Sequence, residues 1–250
     1  MQILFISDLH LGHHSPELVR GFFHFLNNQA ANADQLYILG DFFDAWLGDD
    51  DDDALVAEIK GHLHDYAQNH QVFFLHGNRD FLLGEQFARD TCITLLPESH
   101  LIELNGKKAL LMHGDTLCTQ DTEYLKFRAM VRNPAWQQQV LSLPLPQRRQ
   151  MAADLRNKSQ SMNAMKAEDI MDVTPAEVES VMDSAGVDLL IHGHTHRPTR
   201  HSLTVNNAPA ERWVLGDWSS TAGWYLAAEH GELNLTKFDL ATSNPISTIK

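Results

Sequence analysis

Short apolar runs that stop abruptly at carboxylates, imidazoles and amides set the pattern of this chain. Ile3 to Ser7 leads into Asp8 and His10, and Gln35–Leu39 into Gly40-Asp41-Phe42-Phe43-Asp44. Val72–Leu75 leads into His76-Gly77-Asn78-Arg79-Asp80, Lys107–Met112 into His113-Gly114-Asp115, and Asp188–Ile191 into His192-Gly193-His194-Thr195-His196. Brief apolar runs bounded by turn residues read as buried strands. Ser15-Pro16-Glu17 predicts an N-cap with proline in the first turn, and a helix to about Asn28 with Leu18, Phe22, Phe25 and Leu26 on one face. The run Asp49–Asp53 is expected to open a second helix, Ala54–Asn69, at whose positive end carboxylates are at home. Asn105-Gly106 predicts a hairpin between His100–Glu103 and Lys107–Met112. From Thr119 to Asp172 the strand pattern vanishes. Helical spacing punctuated by Pro134, Pro144 and Pro146 predicts a helical insertion there, because the stretch is too long for a loop. Thr174-Pro175-Ala176-Glu177 has the form of a capping box and opens a helix that closes near Gly186. Trp213–Leu215, Trp224–Ala228 and Leu233–Phe238 read as antiparallel strands, Glu229–Glu232 as a turn, and Ala241–Lys250 as a loose polar tail.

Length and charge narrow this picture. The 250 residues fit a single domain, 1–250, carrying the insertion 119–172. A net charge of −14 argues against a general nucleic-acid binder. The charge is uneven: Lys126, Arg128, Arg132, Arg148, Arg149, Arg156, Lys158 and Lys166 fall in a segment whose one acid is Asp154. Such a segment suggests an anionic ligand or surface, or else a solvated helical face. Cys92 and Cys118 build no disulfide framework and fit a reducing compartment. No apolar window approaches the ~18 residues of a membrane span, and the start has no basic leader, so no signal peptide is expected.

The strand ends carry the chemistry. Asp8 and His10 lie two positions apart and, if the chain stays extended, point the same way. In open α/β sheets ligands bind at the carboxyl ends of strands. Asp8, His10, Asp41, Asn78, His113, His194 and His196 are too many ligands for one tetrahedral Zn²⁺. They suit two octahedral ions sharing a carboxylate, and mixed O/N donors without thiolate favour Mn²⁺, Fe²⁺ or Zn²⁺. Paired ions are the usual device for hydrolysing phosphate esters. His192 is expected to be structural.

The ordered set D-x-H, G-D-x-x-D, G-N-x-D, H-G-D and G-H-x-H resembles the calcineurin-like metallophosphoesterase superfamily. The resemblance implies an α/β fold, a two-sheet αββα sandwich. It also implies that Asp8, His10, Asp41 and His196 hold one metal and Asp41, Asn78, His113 and His194 the other, with Asp41 bridging. Two Mn²⁺ per chain is the expectation. The usual G-N-H-[DE] is replaced by Gly77-Asn78-Arg79-Asp80. Arginine cannot protonate a leaving alkoxide, whereas a leaving phosphate needs no proton. Arg79 therefore predicts a pyrophosphate substrate whose oxygens it clamps; the alternative is a plain salt bridge to Asp80.

Arg79, the early SDLHLG, the LGDFFDAWLGDD stretch and the basic insertion together resemble one branch, the UDP-2,3-diacylglucosamine pyrophosphohydrolases of lipid A biosynthesis. That resemblance implies attack at the α-phosphorus to give UMP and 2,3-diacylglucosamine 1-phosphate (lipid X). Asp41, Asn78, Arg79 and His194 would be catalytic. The insertion would be a lid, with Asp121, Ser159, Asn163 and Lys166 (and Lys158) joining Asn78, Arg79 and His194 in holding substrate. Leu125, Phe127, Met130, Val131, Trp136, Val140, Leu141, Met151, Leu155, Met162 and Met165 supply apolar faces, for acyl chains or for packing of the lid on itself. Apolar and cationic together also suit peripheral attachment to the cytoplasmic face of an anionic inner membrane. No nucleic acid and no obligate protein partner is implied. The rival readings are another phosphoesterase of the superfamily, such as a nucleotide phosphodiesterase or nuclease, and a non-catalytic scaffold.

Overall fold

The computed structural model describes residues 1–104, 106–163 and 170–250, and side chains throughout these except at 158–163. In chain order the elements are β1 (Ile3–Ile6), α1 (Pro16–Asn27), β2 (Gln35–Ile38), α2 (Ala54–Ala67), β3 (Gln71–Phe74), α3 (Glu85–Thr91) and β4 (Thr94–Leu95). There follow β5 (Ser99–Leu104), β6 (Lys107–Met112), α4 (Thr122–Val131), α5 (Pro134–Leu141), α6 (Leu145–Asn163) and α7 (Pro175–Ala185). The chain closes with β7 (Leu189–His192), β8 (Thr199–Val205), β9 (Ala208–Val214), β10 (Ala222–Glu229), β11 (Glu232–Asp239) and β12 (Pro245–Ile249).

Two sheets result, ordered β12-β11-β10-β1-β2-β3-β4 and β5-β6-β7-β9-β8. The alternation within each strand accounts for the layering. Ile3 and Phe5 of β1 point toward Leu111, Ile191 and Trp213 of the second sheet and form the core between the sheets. Leu4 and Ile6 point the other way, onto Phe22 and Phe25 of α1 and Leu63 of α2. Leu110, Met112 and Leu190 of the second sheet turn outward onto Val178 and Met182 of α7. Strands covered on both faces need no polar alternation, which is why they read as unbroken apolar runs. The order of layers is helices, sheet, sheet, helix: the αββα sandwich.

Several local expectations change. The 245–249 tail is not loose; it is an edge strand paired antiparallel with β11. β9 pairs parallel with β7 and antiparallel with β8, so 213–215 is not part of an antiparallel meander with β10 and β11. Thr174 makes no side-chain cap bond; its hydroxyl is turned to Thr119, accepting from Oγ1 at 2.6 Å. The Asp49–Asp53 run does more than open a helix. Asp53 caps α2 through Leu55 N at 2.8 Å. Asp49 instead accepts from Gly84 N, Gln86 N and Phe87 N at 2.9, 3.0 and 3.0 Å, capping α3. Asp50 takes Arg148 of α6, and Asp51 and Asp52 take Arg149. Asn105 of the expected hairpin turn lies outside the described residues; β5 and β6 pair on either side of it from Ser99↔Met112 to Leu104↔Lys107.

Candidate active site

The loops after β1, β2, β3, β6 and β7 meet at one edge of the sandwich. Asp8 N donates to Gly40 O and His10 N to Asp41 O, each at 3.0 Å, so the first two loops run side by side. The chain does not stay extended through Asp8 and His10. Both have positive φ, 57° and 50°, as do Asp41 (51°), His194 (67°) and His196 (56°). Non-glycine residues adopt this region at a cost, and clusters of such residues mark sites where the surrounding structure imposes the conformation. Gly40 has φ +87°, and a Cβ there or at Gly77 would run into the facing loop, at Gly77 into the Asp41 carboxylate itself.

All seven candidate ligands come together. Asp8, His10 and His196 present donor atoms within 4.8 Å of one another, as do Asp8, Asp41 and His113. Nε2 of His10 and Nε2 of His196 are 3.4 Å apart, and His196 Nε2 is 3.3 Å from Asp8 Oδ1. Asn78 Oδ1 sits 3.0 Å from His113 Nε2 and 2.8 Å from His194 Nδ1, and those two nitrogens are 3.2 Å apart. Two of the ring atoms facing away have partners: His113 Nδ1 meets Leu39 O at 2.8 Å, and Asp217 Oδ2 lies 3.6 Å from His196 Nδ1.

The electrostatics divide the candidate ligands: burial opposes charge at His113, but the Asp41 and Asp8 carboxylates outweigh it and raise that imidazole. Burial lowers His10 to about 3 and His194 to about 4, keeping both imidazoles neutral, as ligands must be. Burial pushes Asp41 up to about 7. Burial works against charge at His196 also, but the Asp8 carboxylate overcomes it and raises that imidazole to about 9. Burial opposes charge on Asp8 too, yet the surrounding imidazoles hold its carboxyl well below the usual range. Asp8 Oδ1 and His10 Nδ1 are buried with no hydrogen-bond partner among the described residues. Clustered O and N donors that share too few protons are the donor set of a hard-to-borderline metal.

Asp80 has another partner than the salt bridge considered above. Its carboxylate is fully buried, accepting from Gly77 N at 2.7 Å and Phe42 N at 2.8 Å, and no ion pair between it and Arg79 is found among the described residues. It locks the β2 and β3 loops together. Asp80→Ala is expected to cost about 2–4 kcal/mol by stranding two buried amides. Urea unfolding measures this, and an unchanged midpoint would mean the loops hold without it.

Beside the ligand cluster opens a cleft of about 770 Å³. Asn78, Arg79, Asp121, His194 and His196 line one part of it; Trp46 and Leu82 from the sandwich and Phe127, Met130, Trp136, Val140, Met151 and Leu155 from α4–α6 line the rest. Asp121 is buried and caps α4, accepting from Tyr124 N at 3.1 Å. Val131 is buried but does not line the cleft, and Leu141 is exposed. The side chains of Lys158, Ser159, Met162 and Asn163, and all of Met165 and Lys166, lie outside the described residues. The remaining basic residues of the segment are paired. Lys126 meets Glu123, Arg128 meets Asp115 and Glu98, Arg132 meets Glu98, Arg148 and Arg149 meet Asp50–Asp52, and Arg156 meets Asp44. The described basic residues of the segment are therefore each matched by a carboxylate, those of α6 by Asp44 and Asp50–Asp52 and those of α4 and its end by Glu98, Asp115 and Glu123. His192 is structural: it is fully buried, and its Nε2 accepts from Arg212 at 3.0 Å. Tyr124 and Asp217 carry no expectation from sequence, and Asp115 enters there only as the last residue of H-G-D; for Tyr124 the four-residue spacing to Arg128 and Arg132 was the available signal.

Fold and ligand cluster together define a phosphoesterase, and residues 1–198 match the family described as calcineurin-like phosphoesterase, to which the chain belongs. Its relatives are narrower. The chain is 56% identical over 243 residues to the UDP-2,3-diacylglucosamine hydrolase of Cellvibrio japonicus, covering 96% of this chain and 100% of that protein. It is 51% identical to the UDP-2,3-diacylglucosamine hydrolase of Chromohalobacter salexigens, covering 92% and 94%. Among solved structures, vacuolar protein sorting 29 from Cryptosporidium parvum superposes with a TM-score of 0.52 at 15% identity over 100% of this chain and 97% of that one, a likeness of fold alone.

Proposed function

We propose that this chain is a metal-dependent hydrolase of lipid A biosynthesis that splits UDP-2,3-diacylglucosamine at the α-phosphorus into UMP and 2,3-diacylglucosamine 1-phosphate. The observation that carries the reading is the single cleft that joins a polar, metal-competent end to an apolar wall. A pyrophosphate belongs at the first and acyl chains at the second. The names of the relatives at 56% and 51% identity support the substrate.

Asp8, His10, Asp41 and His196 would hold one Mn²⁺, and Asp41, Asn78, His113 and His194 a second. Bound there, the pair supplies water activation and neutralises charge on phosphoryl oxygens. The protein's own part is orientation. Arg79 N donates to Asp41 Oδ1 at 2.8 Å, which sets the start of the Arg79 side chain at the cleft. Its guanidinium, with no ion pair or hydrogen bond among the described residues, is left to clamp phosphoryl oxygens. The leaving sugar phosphate is already a stable anion, so the absence of an acid at position 79 costs nothing. Asp121, Ser159, Asn163 and Lys166 would hold the glucosamine phosphate, with the helical insertion as the lid. No helix among the described residues is long and apolar enough to cross a membrane. Met130 and Leu141, 47% and 41% exposed on α4 and α5, support peripheral contact with the cytoplasmic face of the inner membrane.

Hydrolysis in H₂¹⁸O tests the reaction. The label is expected in UMP and not in the lipid phosphate; label in the lipid phosphate would overturn attack at the α-phosphorus.

A further inference from the structure

We propose that Arg132 is a positioning residue of the metal centre. It fixes the Gly77–Asn78 peptide from α4, so that this helix belongs to the frame of the site while α5 and α6 form its cover. The inference rests on the metal-dependent reading above.

α4 has two working faces. Tyr124, Arg128 and Arg132 recur at four-residue steps and therefore share one stripe of the helix. Phe127 and Met130 face the cleft, which Tyr124 at the start of the stripe also borders. The stripe reaches two ligand-bearing loops. Tyr124 Oη and Arg128 Nε both donate to Asp115 Oδ2, at 2.5 and 2.7 Å, two residues after His113. Arg132 Nη2 donates to Gly77 O at 2.8 Å, in the peptide that leads into Asn78. These are the loops of two neighbouring candidate ligands, since Asn78 Oδ1 lies 3.0 Å from His113 Nε2.

The Arg132 guanidinium sits in a built place. Glu98 bridges both arginines, at 2.8 Å from Arg128 and 3.3 Å from Arg132. The Phe81 ring lies 5.5 Å from the Arg132 guanidinium carbon, and the side chain is only 13% exposed. An arginine at the end of a helix would ordinarily reach for solvent or for the last helical carbonyls. This one is turned onto a carbonyl in another layer of the protein.

That carbonyl is the third fixed point of the turn carrying Asn78. Gly77 N is held by Asp80 at 2.7 Å and Arg79 N by Asp41 at 2.8 Å. With Gly77 O released, the 77–78 peptide keeps only the flanking bonds of Gly77 N and Arg79 N, and Asn78 Oδ1 is expected to lose its fixed place beside His113 and His194. Groups that orient metal ligands from outside typically change metal affinity or activity by about 10–100-fold when removed. α6 is different. Arg149 pairs with Asp51 and Asp52, in a segment that carries no candidate ligand.

The test compares full-length Arg132→Ala, Arg132→Lys and Arg149→Ala by calorimetric Mn²⁺ titration and by kinetics on bis(4-nitrophenyl) phosphate and UDP-2,3-diacylglucosamine. Arg132→Ala is expected to weaken Mn²⁺ at one of two sites by about tenfold or more and to lower kcat on both substrates alike. Arg132→Lys, which keeps one charged donor, should recover part of both losses, and it carries the test if the alanine variant does not fold. Arg149→Ala should bind Mn²⁺ and turn over the small diester as the unsubstituted chain does. Unchanged Mn²⁺ affinity in the Arg132 variants, or a loss confined to the lipid substrate, would overturn the proposal. Failure of the unsubstituted chain to bind two Mn²⁺ would instead overturn the metal reading beneath it.

Discussion

Asp41→Ala is expected to abolish turnover of UDP-2,3-diacylglucosamine while leaving the fold in place. On the proposed reading Asp41 would serve both metal sites, so its loss would remove several kcal/mol of charge stabilisation, a rate effect of about 10³-fold or more. The fold should survive for a specific reason. Among the described residues the Asp41 carboxylate accepts one hydrogen bond, from Arg79 N, and lies 3.7 Å from His113 Nε2; burial outweighs the pull of that imidazole and raises the carboxyl. Its ionised form is a cost to the metal-free protein, offset when a cation arrives, so the alanine variant gives up little intrinsic stability. Melting curves with and without Mn²⁺ separate the two effects. The metal-free melting temperature should stay close to that of the unsubstituted chain, and the rise on adding Mn²⁺ should shrink. Retained turnover in Asp41→Ala at saturating Mn²⁺ would sink the two-metal account.

The cluster was legible in sequence because its two signals are local: a short apolar run and a ligand-type residue directly after it. Asp8, Asp41, Asn78, His113 and His194 all stand at such ends. What was not legible is how they converge. An extended Asp8-Leu9-His10 was the natural expectation, whereas both ligands are left-handed in backbone. L-residues do not choose that region; pairing of the loop with Gly40 and Asp41 imposes it. The missed strands share a different cause. β8 and β12 are edge strands with largely exposed side chains, so they carry no apolar alternation to read. The turn between β8 and β9 did leave a trace in Asn206-Asn207, both with positive φ, the residue type that two-residue hairpins favour. Arg148 and Asp50 are nearly a hundred positions apart, and no local pattern distinguishes such a pair from two solvated charges.

Those long-range pairs bear on the second large effect. Replacing residues 134–169 by a short Gly/Ser linker, with α4 kept, should lower kcat/KM on UDP-2,3-diacylglucosamine by about 10³-fold or more. Activity on bis(4-nitrophenyl) phosphate should change little. Trp136, Val140, Met151 and Leu155 go with the deletion, and with them much of the apolar wall of the cleft. Each buried methylene is worth about 0.8 kcal/mol, so uncovering even six of them forfeits about 5 kcal/mol of binding, enough for that loss. The small diester has no such chain to cover. Of the carboxylates left behind, Asp50 and Asp52 are already exposed and can turn to water, while Asp44 and Asp51, now 14% and 8% exposed beneath their arginines, are uncovered by the deletion and hydrated in turn. Where the deletion begins matters. Cutting at residue 119 would also remove Tyr124, Arg128 and Arg132, and with them the contacts to Asp115 and Gly77 O. On the account given for Arg132, that longer deletion should cripple both substrates, and the contrast between the two cuts measures the division within the lid. Equal loss on both substrates from the shorter deletion would mean that α5 and α6 support the metal centre instead of covering the substrate.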